Sequence, residues 1–298
     1  MDKEDLEGFA LDGDTSVECI QIAPMGNGKA AILFVLSDAD YVTVVSVIFV
    51  VENFDPATAR EVLLTSEWLM ALSAAPSGEL YALEATTWIW RYAGDVWSRD
   101  KVSEKSLRQV WAKNAGGPIT VGVDGIAYRL EGSVWQPISP IQSVDYLDVH
   151  AHPLHGLYVC GDLGAVHRLS ATGWQPLELH RHDRFHGIEV APDGAIRVAG
   201  DDGVCLRIAN DEVTEIKTAK MTHFAVRSFK GKTYWGNEIG ITVEKGDVLE
   251  PFEDTEIASD LRTDGSYLYA AGTDTAWRFD SEKWKTLTLV YDDGFRLV

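Results

Sequence analysis

The sequence predicts an all-β fold, a β-propeller of four-stranded blades. Three observations predict it. A unit recurs every 34 to 39 residues, glycine, arginine and tryptophan hold fixed places inside that unit, and turn residues bound short apolar runs. The chain has 298 residues, with 26 Lys+Arg against 46 Asp+Glu and a formal net charge of −20. That length suits one large all-β domain, read as a single propeller over 1–298. At 46% hydrophobic the composition is that of a folded chain, not of an acidic disordered tail.

Six segments align: GELYALEATTWIWRYAGDVW, TVGVDGIAYRLEGSVW, YVCGDLGAVHRLSATGW, RVAGDDGVCLRIANDEV, YWGNEIGITVEKGDV and YAAGTDTAWRFDSEKW. A glycine turn separates the first two strands at Gly78, Gly117, Gly156, Gly194, Gly231 and Gly265. A second glycine closes the next strand at Gly122, Gly161, Gly200, Gly236 and Gly272, with Glu84 in its place in the first segment. An aromatic or aliphatic residue then follows an arginine by six positions: Arg91/Trp97, Arg129/Trp135, Arg168/Trp174, Arg207/Val213 and Arg278/Trp284. A seventh copy opens the chain, where SVECIQIA, KAAILFVLS and YVTVVSVIFVV are strands joined by MGNG and DAD. Seven blades follow, over 16–64, 65–103, 104–140, 141–179, 180–217, 218–251 and 252–290, with six the alternative count.

One four-stranded sheet cannot bury both faces, so blades must stack face to face around an axis. Trp88, Trp90 and Tyr92 alternate along one strand and suit that inter-blade core. In its G-D-x-G turn, Arg-bearing strand and closing Trp, the chain resembles bacterial propellers of the sialidase-repeat and photosystem-assembly-factor type, over roughly residues 65–288. The resemblance implies architecture and no catalytic residues. No segment holds a full S-x-D-x-G-x-x-W box, a WD dipeptide or a kelch double glycine. The terminal pieces 1–15 and 289–298 are candidates to complete a blade and close the ring.

The opening MDKEDLEGFALDGD lacks the apolar core of a secretory signal. The long apolar stretch Ala30–Val51 is broken by Asp38 and Asp40 into runs too short to span a bilayer. Cys19, Cys160 and Cys205 are an odd, scattered set inside apolar runs, expected as core thiols. These features together point to a cytoplasmic protein without membrane contact. The acidity argues against nucleic acid as a partner.

Catalytic motifs fail one by one. GNGK at Gly26–Lys29 has Ala23 and Ala30 where a P-loop needs Gly and Ser or Thr. There is no HExxH, G-x-S-x-G or CxxC pair, so neither a cofactor nor enzymatic activity is expected. His150, His152, His155, His167, His180, His182 and His186 are dense enough to suggest zinc or nickel. The blade register places His152 and His155 on one propeller face and His180, His182 and His186 on the other, so they are expected to be loop histidines. The repeated Arg and Trp columns are expected to hold blades together.

Function in a propeller sits where loops break the repeat. Turns between the second and third strands share a face with the blade connectors. On that face Asp40, Glu84, Asp124, Asp162, Asp201 with Asp202, Glu238 and Asp274 give every blade a carboxylate. The stretch EPFEDTEIASD adds Glu250, Glu253, Asp254, Glu256 and Asp260 with no basic residue. Aspartate is a favoured turn former, which accounts for part of this ring but not for its glutamates. An acidic rim steers a basic protein and repels nucleic acid. Compact, acidic and without a catalytic motif, the chain resembles bacterial toxin-immunity proteins. That resemblance implies an inhibitor covering the active site of a basic, nuclease-like effector. The competing expectation is a metal-dependent hydrolase or small-ligand binder at the central channel, using Asp145, Asp148, Glu189 and Asp260.

Overall fold

The computed structural model describes residues 15–38, 43–113, 116–138, 143–210, 212–291 and 294–298. Within them the chain forms seven antiparallel sheets, each holding consecutive strands side by side. Blade 1 comprises β1 (Ser16–Gly26), β2 (Lys29–Ser37), β3 (Val44–Glu52) and β4 (Arg60–Thr65). Blade 2 comprises β5 (Leu69–Ala74), β6 (Leu80–Glu84), β7 (Trp88–Ala93) and β8 (Val96–Lys101). β9 (Leu107–Trp111), β10 (Ile119–Gly122), β11 (Ala127–Glu131) and β12 (Val134–Ile138) make blade 3. β13 (Tyr146–His152), β14 (Gly156–Gly161), β15 (Val166–Ser170) and β16 (Gly173–Pro176) make blade 4. Blade 5 follows as β17 (Phe185–Val190), β18 (Ile196–Gly200), β19 (Cys205–Ala209) and β20 (Glu212–Glu215). Blade 6 has β21 (His223–Phe229), β22 (Lys232–Asn237), β23 (Gly240–Lys245) and β24 (Val248–Glu253). Blade 7 has β25 (Asp260–Thr263), β26 (Leu268–Ala271), β27 (Thr275–Phe279), β28 (Trp284–Tyr291) and β29 (Phe295–Leu297).

The first strand of each blade packs against the first strand of the next, and β25 packs back on β1. The fold is a seven-bladed β-propeller. For the C-terminal piece, closure differs from the expectation that it completes a blade. Residues 289–291 prolong β28, and β29 pairs outside it, Leu289 opposite Leu297. Blade 7 instead meets blade 1 by packing, helped by the Cys19 N–H donating to the Thr273 carbonyl at 2.7 Å. Residues 1–14 lie outside the described set.

Alternation of side chains explains the core. In β2, Ala30, Ile32, Phe34 and Leu36 pack toward blade 7, while Ala31, Leu33 and Val35 pack toward blade 2. Both sides are buried, which is why the stretch from Ala30 to Val51 is so apolar. Among the described residues no helix is long and apolar enough to cross a membrane. Every blade boundary among the described residues carries its own hydrophobic cluster. The Trp column belongs to these clusters. Trp97 donates to the Val62 carbonyl of blade 1 at 2.7 Å, and Trp135 stands edge-on to Tyr81 of blade 2.

The glycines closing the second strand are dictated by close approach. A Cβ at Gly122, Gly161, Gly200 or Gly236 would collide with the backbone carbonyl of a connector residue, respectively Ser106, Asp145, Arg184 and Ala258. These connectors bind the neighbouring turn, as in Val123 N–H to Ser106 O and Asp201 N–H to Arg184 O. The repeated glycine therefore allows a connector to lie against the blade, the one it enters at Gly122, Gly161 and Gly200 and the one it leaves at Gly236.

A second repeated device lies at the axis. The innermost strands are sheet edges whose amides have no ladder partner on the channel side. Side chains from the adjacent blade satisfy them. Gln21 Oε1 accepts Leu72 N–H, Ser73 Oγ accepts Ala112 N–H, and Asp148 Oδ2 accepts Ile188 N–H at 3.0 Å. His150 Nδ1 accepts Val190 N–H, and Glu189 accepts both the N–H and the hydroxyl of Ser228. Arg227 answers in the other direction, donating to the Ile188 carbonyl at 2.8 Å.

Candidate functional site: the connector face

The turns between second and third strands and the blade connectors share one face, stitched by bonds such as Gly203 N–H to Met221 O and Ala258 N–H to Asn237 O. The carboxylates of this face have several fates. Glu84 does not reach the rim: at 2% exposure it is buried, accepting from Trp90 Nε1 at 2.6 Å and paired with Arg99 Nε at 2.5 Å. It replaces the repeat glycine, and its neighbours make it an internal ion pair. Asp124 pairs with Lys105 at 3.0 Å, Asp162 with Arg184 at 3.2 Å, and Asp201 meets His186 Nε2 at 2.7 Å. Lys105 and the Ser143 hydroxyl hold the Asp124 carboxyl below its usual range. Asp124 and Asp202 also sit at left-handed positions, φ 54° each, ahead of a glycine. Turn geometry thus accounts for these two aspartates.

The remaining carboxylates are distributed unevenly. Among the described residues no ion pair engages Asp202, Glu238, Glu253, Asp254, Glu256 or Asp274, although Asp274 Oδ1 accepts from the Thr275 hydroxyl. Glu250 lies within β24 and pairs with Lys245 across the hairpin, so it belongs to the blade flank and not to the connector. Asp40 lies outside the described residues. Glu238, Glu253, Asp254 and Glu256 therefore stand as one uncompensated group where blade 6 hands over to blade 7.

That group borders a pocket of about 500 Å³ lined by Asn237, Ile239, Pro251, Phe252, Glu253 and Asp254 among others. Ile239 is 61% exposed, while Phe252 packs by its ring against Tyr234 and Phe279. Asn237 is fully buried, and its Oδ1 accepts the Ile239 N–H at 3.0 Å. That bond fixes the amide orientation and leaves Nδ2 buried with no hydrogen-bond partner. The site can thus take an apolar group on Ile239 and Phe252 and a cation on the carboxylates. Asn237 and Ile239 were missed at the sequence level. Their signal was the turn GNEIG, which breaks the G-D-x-G pattern and places an isoleucine in a turn.

The channel mouth forms a second pocket of about 430 Å³ on the same face, lined by Gln21, Gln109, Asp148, His186 and Asp260 among others. Its carboxylates are already engaged. Asp148 holds Ile188 and faces Arg227 at 3.9 Å, and Asp260 accepts from Gln21 Nε2 and Arg262 Nε. Burial outweighs the nearby arginines and raises the carboxyls of Asp148 and Glu189. Asp145 lies on the connector, where it accepts the Asp124 N–H. The four carboxylates suggested for channel chemistry thus serve backbone amides and arginines. Among the described residues no group of three or more His, Cys, Asp or Glu could hold a metal ion. His152 and His155 stack at 4.8 Å, His186 is with Asp201, and His150 is half-buried, accepting the Val190 N–H.

No family model and no curated protein matches the sequence. Solved structures match in shape. The WD40 β-propeller domain of Doa1 aligns with a TM-score of 0.70 at 10% identity, covering 90% of this chain and 96% of that one. Sqt1 of Saccharomyces cerevisiae aligns with a TM-score of 0.65 at 11% identity, covering 93% and 89%. YCF48 bound to D1 peptide aligns with a TM-score of 0.67 at 13% identity, covering 90% and 93%. At these identities the likeness is one of fold.

Proposed function

We propose that this chain is a non-enzymatic, protein-binding propeller whose connector face takes a basic protein partner at the junction of blades 6 and 7. The observation that carries it is the group Glu253, Asp254 and Glu256, unpaired among the described residues, lining a pocket with the apolar Ile239 and Phe252, with Glu238 beside it in the chain. A lysine or arginine of the partner reaches the carboxylates, its stem lying over Ile239 and Phe252. The solved complex of the similarly folded YCF48 with D1 peptide supports the use of such a ring for holding a peptide.

Partner capture begins at long range. A net charge of −20 accelerates encounter with a cationic surface and makes the rate fall with salt. The finer identity is an inhibitor of the immunity type, occupying the cationic substrate groove of a nuclease-like toxin in the cytoplasm. Three free, buried thiols suit that reducing compartment.

The test is purification of the chain from its own cells at low and high salt, then charge reversal of Glu253, Asp254 and Glu256 to lysine. A single stoichiometric basic protein, released by salt and lost in the triple variant, is the expected result. Toxicity of that partner when expressed alone supports the inhibitor identity. Partner binding unchanged by the reversal at low salt refutes the acidic site.

A further inference from the structure

Among the described residues, one member of the repeat's arginine column has no partner. Counted from the glycine closing the second strand, the column comprises Arg129, Arg168 and Arg207, and Arg91 counted from Glu84. Arg278 aligns with it through its pairing with Tyr269. Arg91 is paired with Glu79 of its own blade. Arg207 faces blade 6 and binds two of its carboxylates, Glu244 at 2.7 Å and Asp247 at 2.5 Å. Arg278 stacks 4.1 Å above Tyr267, and Arg168 lies 5.8 Å from the ring of Tyr158. Arg129 has none of these. Its buried Nε–H has no hydrogen-bond partner, and among the described residues no carboxylate pairs with it.

The missing partners can be located by the repeat. Arg91 is opposite Tyr81 and Arg129 opposite Ile119, so Gly117 stands where Glu79 stands. Gly117 cannot supply a side chain, because its φ is +94° and a Cβ would strike the Leu130 carbonyl. On the neighbouring blade, Glu244 and Asp247 correspond to Leu169 and Thr172 by the same glycine count. Both carboxylates are therefore absent from the cleft that Arg129 faces. The space is open instead: a pocket of about 720 Å³ is lined by Arg129, Gln136, His152, Leu169, Thr172 and the rim carboxylate Glu131, among others. Lys113 also borders it and hands its ammonium to the Thr263 carbonyl at 3.0 Å.

We infer that this cleft between blades 3 and 4, on the face opposite the connectors, binds a small carboxylate through the Arg129 guanidinium. The ligand's carboxylate stands where a protein carboxylate stands against Arg207, and charge-assisted N–H···O bonds hold it. Gln136 and the Thr172 hydroxyl offer further donors, and exposed Glu131 at the rim favours a ligand whose far end donates hydrogen bonds. This site is independent of the acidic one in residues, in face and in charge.

The test titrates acetate, succinate and glutamate into the full chain at low, chloride-matched ionic strength. Calorimetry and the nitrogen-15 shift of the Arg129 Nε–H report binding. Saturable one-site binding of at least one probe is expected, weakened at least ten-fold in Arg129→Gln and unchanged in Arg168→Gln. Thr172→Asp places a carboxylate where blade 6 carries Asp247 and is expected to abolish binding while leaving the fold intact. No saturable binding of any probe, or equal binding by the Arg129→Gln and Thr172→Asp variants, overturns the inference.

Discussion

Removing the Asp148 side chain tests whether the axis is held by side chains bonding across blades. Asp148 is 5% exposed, accepts the edge amide of Ile188 and stands 3.9 Å from Arg227 Nη2. In Asp148→Ala the Ile188 N–H loses its acceptor and Arg227, whose Nε already has no partner, loses its nearest counter-charge. Breaking a buried pair from one side costs roughly 3–5 kcal/mol, and the orphaned amide is part of that figure. At roughly 2–4 °C per kcal/mol for a large domain, the midpoint falls by roughly 6 °C or more. Asp148→Asn keeps an acceptor and removes a charge that burial disfavours, so it costs less. Removing both charges in Asp148→Ala/Arg227→Met recovers part of the loss. Thermal and urea unfolding of the three variants provide the measurement. A change within about 1 kcal/mol for Asp148→Ala, or a double variant as costly as the sum of the singles, refutes the argument.

Two further outcomes follow from the same physics. Burial lowers the pKa of His223 to about 4, against 6.5 for the free side chain, so between those values the unfolded chain binds the extra proton. Stability contributed by neutral His223 is full above pH 6.5 and is lost as pH falls toward 4, up to about 3 kcal/mol. His150, also lowered by burial and by Arg227, acts in the same direction, and urea midpoints between pH 7 and pH 4 should record the decline. Gly161→Ala forces a methyl into the Asp145 carbonyl and should destabilise the ring by at least roughly 1–3 kcal/mol. A neutral result in a melting curve would show that the connector can move away.

Much of the architecture was legible in the chain because a propeller repeats its constraints. The glycine that admits a connector, the arginine that faces the next blade and the tryptophan that leans on the previous one recur in sequence. Each blade meets the same neighbours in space. The period, the four strands per unit and the blade count came from that recurrence alone. The chain's acidity was legible in its composition.

Tertiary structure decided what each charge is for. Glu84 and Glu238 occupy comparable turns, yet Glu84 is buried against Arg99 and Glu238 is exposed without an ion pair. The difference arises from an arginine fifteen residues along, on a different strand of the same blade. Asp148, Glu189 and Asp260 looked available for channel chemistry, and spatial neighbours separated by tens to hundreds of residues occupy them. Arg129 looks like every other arginine of its column until the cleft it faces is seen to lack the carboxylates that pair with Arg207. A repeat encodes which backbone positions coincide. Whether a charge on that backbone is paired depends on side chains brought from other blades, and local sequence pattern does not carry that information.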